Sequence, residues 1–318
     1  MNTTTKKAIK ISIPLLLAVF FGWYTFSKLP VKEFIPYFEK ANYFWIGLGA
    51  LLGILSHLSR AYRWKFTLEP LGYRPKLPNN IMAVFIAYLA NFGIPRSGEV
   101  LRAAVLTNYE DIPFEKGFGT IVAERFADLA MMLIIIAITL YLEFDYIYKF
   151  FIEKFKPETL FIAGFGIIAI AVIFIVFFKK SNSKIAVRVR AFVYGLLEGV
   201  FSIFKMKQKW AFIFHTLFIW LMYVLMFYVT TFAVPEISNI PFAAILIAFI
   251  SASFTIAATN GGIFVYPLAI GAAFSLFDIP ETPSIAFGWI IWTAQTFIII
   301  ILGSLSFLYL PIYNRKNN

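Results

Sequence analysis

Long apolar stretches alternate with short polar connections along this sequence. A helix that crosses a membrane needs about 20 mostly apolar residues. We predict a transmembrane helix for each of six stretches, residues 9–29, 42–66, 117–142, 160–178, 210–234 and 285–310. Lys6, Lys7 and Lys10 precede the first stretch as they would in a signal peptide. Because no small-x-small cleavage site follows, we expect that helix to be retained.

Two further apolar regions are interrupted by Gly and Pro where a helix should continue. Residues 79–108 are broken at 91–98, and residues 241–277 are broken at 259–262. Each region is either a re-entrant hairpin or a pair of tilted short helices, and both arrangements return the chain to the side from which it came. The two breaks contain similar Asn-x-Gly-Ile patterns and are approached from opposite sides, which suits an inverted repeat.

The composition agrees with a membrane protein. The chain is 60% hydrophobic and 14% charged, with a mean hydropathy of +0.79. A soluble protein of this composition would expose large apolar patches, so soluble enzyme folds are excluded. Cysteine is absent and histidine occurs only at positions 57 and 215. Disulfides, thiolate catalysis and cysteine-ligated metals are therefore excluded, and we expect no metal site and no cofactor.

Positive charge sets the predicted orientation. Lys and Arg total 28 against 17 Asp and Glu, a formal net charge of +11. With the N-terminus inside, eighteen basic residues fall in inner segments and six in outer ones, so we expect both termini to be cytoplasmic in a cell-membrane protein. The cytoplasmic segments then account for the excess positive charge, and we expect no nucleic-acid partner.

Residues 184–205 have helical apolar periodicity. They form either an amphipathic helix on the inner leaflet or a connector helix packed on the bundle.

The densest polar cluster at membrane depth follows the first break. Arg96, Glu99 and Arg102 are spaced i, i+3, i+6, so on one helix they would line one face. In the functional interpretation the two arginines bind a lipid phosphate and Glu99 orients them. The turn at Asn91–Pro95 would then add free backbone N–H groups. In the structural interpretation the cluster is a salt-bridge ladder that caps a hairpin.

Two other polar groups lie on predicted spans. Glu124 and Asp128 share a helical face, and Arg125 between them points away toward a different neighbour. These carboxylates need cations, so we predict a buried ionic network with Arg60, Arg63, Arg96 and Arg102. A network that only holds helices together remains the alternative. Trp64 is predicted to be an interfacial anchor.

The second break contains Asn260, Gly261 and Gly262. Unwound backbone at membrane depth is tolerated only where it is buried or lines a wet cavity. A tight turn and a ligand-lining loop both satisfy this condition. The predicted lipid-headgroup site comprises Arg60, Arg63, Asn91, Pro95, Arg96, Gly98, Glu99, Arg102, Glu124, Arg125, Asp128, Asn260, Gly261 and Gly262.

In their order and spacing, four sequence elements resemble the transmembrane, flippase-like domain of lysylphosphatidylglycerol synthases. The elements are Arg60-Ala-Tyr-Arg-Trp64, Asn91-Phe-Gly-Ile-Pro-Arg-Ser-Gly-Glu-Val-Leu-Arg102, Glu124-Arg-Phe-Ala-Asp128 and Asn260-Gly-Gly-Ile-Phe264. The resemblance implies one flippase-like membrane domain over residues 1–318, a bundle with re-entrant helices that moves aminoacylated or other phospholipids between leaflets. No aminoacyl-transferase domain follows here, so synthase activity is expected to be absent. The acidic residue that the family's last motif usually carries is also missing.

The sequence therefore predicts an all-α, polytopic lipid translocator with no catalytic residues. No Gly-x-x-x-x-Gly-Lys loop is present, so ATP hydrolysis is not the expected drive. The expected partners are membrane phospholipids and, in one alternative, a separate lipid-modifying synthase to which the chain is a non-transporting partner. In another alternative the chain is a membrane-embedded enzyme acting on a lipid or polyprenyl phosphate. The oligomeric state is left open, because small-residue patterns are common in any packed bundle.

Overall fold

The computed structural model describes residues 31–94, 96–144, 206–259 and 261–315, together with isolated positions between 145 and 205. All regular secondary structure in these residues is helical, which confirms the predicted all-α class. The α-helices are α1 Val31–Lys40, α2 Tyr43–Leu68, α3 Leu77–Gly93, α4 Ser97–Glu110, α5 Phe114–Leu142, α6 Lys209–Thr231, α7 Phe242–Ala258, α8 Val265–Ser275 and α9 Glu281–Tyr313. Short 3-10 helices at Glu69–Leu71 and Pro235–Ile237 follow α2 and α6.

The described residues fall into two compact units. The larger unit lies within 1–121 and 210–318, and the smaller unit lies within 122–209. Helix α5 begins in the larger unit and continues into the smaller one. The predicted spans at 9–29 and 160–178, and the amphipathic helix at 184–205, lie outside the described residues apart from isolated positions.

Three stretches in the described residues are long and apolar enough to cross a membrane. They are Tyr43–Leu71, Lys209–Thr231 and Glu281–Tyr313, and each contains most of a predicted span. Helix α5 covers the predicted span at 117–142, but it is not one of these three. The structure therefore supports a multi-pass membrane protein without confirming six spans.

Helix α9 is the central element of the larger unit, where it packs against α1, α2, α3 and α8. Glycines allow two of these close approaches. A Cβ on Gly288 would lie 2.5 Å from the Cα of Pro267 in α8, and one on Gly303 would lie 2.7 Å from the Cβ of Leu89 in α3. Small residues at helix crossings are typical of membrane bundles, because they let backbones approach.

The two broken regions form helical hairpins, α3–α4 and α7–α8. The open end of the first hairpin lies beside the last turn of α9, because Asn79 contacts both Glu110 of α4 and Asn314. The open end of the second lies beside the first turn of α9, since a Cβ on Gly271 would meet Ile285 at 2.6 Å. The hairpins therefore enter the larger unit from opposite ends.

Candidate functional site

The backbone amides at the turn of the first hairpin form hydrogen bonds within that hairpin. The amide of Ile94 donates to the Ala90 carbonyl at 3.0 Å, and the amide of Ser97 donates to the Ile94 carbonyl at 3.1 Å. The amide of Gly98 donates to Oδ1 of Asn91 at 2.8 Å. The expectation of free N–H groups in the turn at Asn91–Pro95 is therefore wrong for Ile94, and the amides of Ser97 and Gly98 just beyond it are also satisfied. Pro95 lies outside the described residues.

Gly98 also sets how closely the two helices of this hairpin pack. A Cβ at this position would collide with the carbonyl oxygen of Ala87 and would lie 2.8 Å from Oδ1 of Asn91. Both Asn91 and Gly98 thus have a structural role in forming the turn. Their predicted part in headgroup binding is untested.

Arg96 occupies the N-cap of α4 in a left-handed conformation, with φ of 58°, and is exposed. Helix α4 begins one residue later, at Ser97. The prediction that Arg96, Glu99 and Arg102 share one helical face is therefore wrong for Arg96, because its left-handed backbone lies outside the helical register. From the rise of an α-helix, Arg96 stands about 21 Å from the other end of α4.

Arg102 is 3% exposed and stacks on a buried indole. Its Cζ lies 3.8 Å from the ring centroid of Trp64, close contact for a cation–π pair. Trp64 is itself fully buried, and its Nε1 donates to Oγ1 of Thr120 at 2.9 Å. The prediction of Trp64 as an interfacial anchor was wrong, since the indole forms an internal support for the Arg102 guanidinium.

Two more arginines lie buried along α2. Arg60 is 4% exposed and Arg63 is fully buried. Nη1 of Arg63 donates to Oγ1 of Thr216 in α6 at 2.9 Å, and its guanidinium lies 5.2 Å from the ring centroid of Phe212. The sequence did not indicate Thr216 or Thr120 as partners of site residues, because threonines are ordinary in apolar helices.

His57 has a packing environment of aromatic rings. It lies next to Tyr88, Phe85 and Tyr223, with ring centroids 4.6, 5.8 and 6.1 Å away. This environment is that of a structural histidine packed between helices.

In the smaller unit, Glu124 and Asp128 are 1% and 8% exposed. Arg125 is exposed, and its Nη1 lies 3.6 Å from Oδ2 of Asp128. Arg125 therefore pairs with the carboxylate one turn along its own helix, an i, i+3 contact. Its predicted contact with a different neighbour stays a prediction. The ionic network with the arginines of other helices stays a prediction.

The turn of the second hairpin is also closed by its own side chains. Gly261 and Gly262 have φ of 65° and 77°, a region that favours glycine. The amide of Gly262 donates to Oγ1 of Thr259 at 3.0 Å, and the carbonyl of Gly261 accepts from Nε1 of Trp292 in α9 at 2.7 Å. Asn260 lies outside the described residues. Both interpretations of the turn, structural and ligand-lining, remain open.

The turns of the two hairpins touch each other. A Cβ on Gly261 would lie 2.7 Å from Cε1 of Phe92, which shows how closely the phenyl ring lies on the glycine backbone. Sequence patterns gave no sign of this contact. Among the described residues, no group of three His, Asp or Glu side chains is placed to hold a metal ion.

Curated relatives give three partial matches. A UPF0104 membrane protein of Methanocaldococcus jannaschii is 29% identical over 40% of this chain and 39% of its own length. Another, of Methanothermobacter thermautotrophicus, is 27% identical over 64% of this chain and 55% of its own length. The glycosyltransferase AglD of Haloferax volcanii is 31% identical over 31% of this chain, which is 16% of that protein. In each case the matched part is less than two thirds of the relative.

No solved structure matches this chain significantly. The model of one family, described as the lysylphosphatidylglycerol synthase TM region, matches residues 11–303 and so covers nearly all of the sequence. The chain therefore belongs to the lysylphosphatidylglycerol synthase TM region family of membrane proteins.

Proposed function

We propose that this protein moves phospholipids between the two leaflets of the cell membrane without chemically changing them. The observation that carries the proposal is the exposed Arg96 at the turn of the first hairpin, about 21 Å from the inner end of α4. With the hairpin inserted from the cytoplasmic side, this distance puts Arg96 deep within a hydrocarbon core about 30 Å thick.

An arginine at this depth favours a polar path over contact with lipid tails. Insertion of arginine at the centre of a membrane helix costs about 2.5–3.5 kcal/mol, and intramembrane charges therefore face bundle interiors or wet cavities. Arg96 is exposed and is not buried within the protein. We infer that its guanidinium faces a water-filled path, where a lipid headgroup would pass.

Other guanidinium groups precede Arg96 on the way from the cytoplasm. From the helix rise, Arg63 stands about 8 Å from the end of α2, and Arg102 about 12 Å from the end of α4. Guanidinium binds phosphate through paired hydrogen bonds. In the proposed path a lipid phosphate binds the exposed Arg96 while its acyl chains stay in the bilayer. The buried Arg102, stacked on Trp64, contributes positive charge on the inner side of this position.

The arrangement of the hairpins supports the same function. Helices α3 and α7 both have 17 residues. Each hairpin turn ends in a non-glycine residue with positive φ, Arg96 at 58° and Phe264 at 63°. We propose that both hairpins are re-entrant, form an inverted repeat within a six-span bundle with cytoplasmic termini, and meet near the midplane as broken helices do in transporters.

A second candidate function follows from the Haloferax volcanii relative. That protein is named as a glycosyltransferase, and the match makes up 16% of its length. In this candidate the chain moves no lipid and serves as the membrane partner of a separate lipid-modifying enzyme.

Reconstitution in liposomes separates these functions. Fluorescent phospholipid on the inner leaflet becomes accessible to an external quencher only if it is translocated. We expect the purified protein to accelerate this step, and Arg96→Ala and Glu99→Gln to abolish the acceleration. Arg74→Ala is the matched control, because Arg74 pairs with Glu69 at the surface, away from the hairpin turns. Unchanged quenching with the wild-type protein would refute translocation of the lipids tested, and full activity in both variants would refute the site.

A further inference from the structure

The contact between the two hairpin turns consists of an aromatic side chain on bare backbone. Cε1 and Cδ1 of Phe92 would lie 2.7 and 3.0 Å from a Cβ on Gly261. The ring reaches the backbone only because residue 261 has no side chain. Phe92 lies in the last turn of α3, so this contact is made at the far end of each hairpin from its open end.

Among the described residues, each turn is closed by a hydrogen bond within its own hairpin. In the first, the Gly98 amide donates to Asn91 at 2.8 Å; in the second, the Gly262 amide donates to Thr259 at 3.0 Å. The Phe92 ring has no hydrogen-bonding group of its own. The ring therefore contributes only dispersion to this contact, and moving it off Gly261 breaks neither of these hydrogen bonds.

Both hairpins are attached to the same helix. The carbonyl of Gly261 accepts from Trp292 at 2.7 Å, and Leu89 packs closely on Gly303. Each hairpin thus has a firm attachment to α9, whereas the aromatic contact between their turns is weak. Such a pair of elements can separate at the turns while both stay packed on α9.

We propose that Phe92 is a gate that closes the lipid path between the two hairpins. This inference rests on the proposed translocation function and adds its control point. Arg96, the last arginine of the inner path, is four residues beyond Phe92 along the chain. A headgroup held there reaches the outer half only when the phenyl ring moves off Gly261. The closed contact is the resting state, and lipid passage requires its transient opening.

The first test removes the ring. Phe92→Ala should raise the rate of phospholipid translocation in liposomes by roughly fivefold, since the ring's dispersion contacts no longer hold the turns together. Phe297→Ala is the matched control, because that phenylalanine is 63% exposed on α9. The control should translocate at the wild-type rate. A Phe92→Ala protein that elutes as a folded monodisperse species and is no faster than wild type would overturn the gate.

The second test holds the gate shut. The chain contains no cysteine, so Phe92→Cys and Gly261→Cys together create the only thiol pair. A short bis-methanethiosulfonate crosslinker should join the two thiols through disulfides, with loss of methanesulfinate at each one. Translocation should then stop and resume on reduction, while the same reagent leaves the rate of each single-cysteine protein unchanged. Failure to crosslink in the folded protein, or unchanged translocation after crosslinking, would overturn the gate.

These outcomes are separable from failure of the proposed function. A wild-type protein that moves no phospholipid refutes translocation, and the gate with it. A wild-type protein that moves phospholipid at a rate that neither Phe92→Ala nor the crosslink alters refutes the gate alone.

Discussion

Replacing Thr120 with valine should destabilise the protein through the buried indole of Trp64. The Thr120 hydroxyl accepts the Trp64 Nε1 proton at 2.9 Å, and both side chains are at least 95% buried. Valine has nearly the same shape but no acceptor. A buried donor left without its acceptor costs about 1–3 kcal/mol. We expect Thr120→Val to lower the free energy of unfolding by this amount.

A double-mutant cycle with Trp64→Phe isolates the hydrogen bond. The phenyl ring keeps an aromatic face for the Arg102 guanidinium but has no N–H, and its smaller volume costs about 1–2 kcal/mol of packing. Once the donor is gone, Thr120→Val has no N–H to leave unsatisfied. The double variant should therefore be more stable than additivity predicts by about 1 kcal/mol.

The cycle is measured by unfolding in mixed micelles with increasing SDS, followed by far-UV circular dichroism. This signal does not depend on the tryptophan that is removed. Strict additivity of the two substitutions would refute the inference that the indole is held by Thr120. It would also mean that the Thr120 hydroxyl does not hold the Trp64 indole against Arg102.

Two other stability predictions follow from close contacts. Gly98→Ala should lower the free energy of unfolding by about 1–3 kcal/mol, because its Cβ would collide with the Ala87 carbonyl. Gly47→Ala is the matched control, since nothing lies within 4 Å of its Cβ, and it should raise the free energy of unfolding by up to about 1 kcal/mol. Thr216→Val should cost about 1–3 kcal/mol by removing an acceptor of the buried Arg63, whereas Thr216→Ser should keep it. The same SDS titration checks both pairs, and equal stability within either pair would contradict the corresponding contact.

The hairpins were predictable from the sequence because their breaks depend on local chemistry. Gly and Pro interrupt apolar periodicity at 91–98 and 259–262. The first turn, residues 94–96, lies within its predicted range, whereas the second begins at residue 259 as predicted and continues two residues further, to Phe264. The apolar stretches likewise predicted α2, α6 and α9 to within a few residues at most ends. Local backbone preference and hydrophobic period are properties of neighbouring residues, so one sequence suffices to predict them.

The details of the site were not predictable, because they depend on contacts between distant residues. Trp64 at a helix end has the pattern of an interfacial anchor, and only the packing of α4 and α5 shows that it supports Arg102 and bonds to Thr120. Arg96 does not share the predicted helical face, because its backbone is left-handed, and residue spacing does not reveal such a conformation. The contact of Phe92 with Gly261 joins residues 169 positions apart.

The most direct test of the central claim measures whether position 96 lies in a polar path open to the cytoplasm. Arg96→Cys introduces a single thiol into a cysteine-free chain, and a charged, membrane-impermeant methanethiosulfonate reagent is added to one side of oriented vesicles at a time. We expect fast modification from the cytoplasmic side and slow modification from the outer side, with Phe92→Ala accelerating the outer reaction. A thiol that reacts from neither side would place residue 96 against lipid tails and contradict the account.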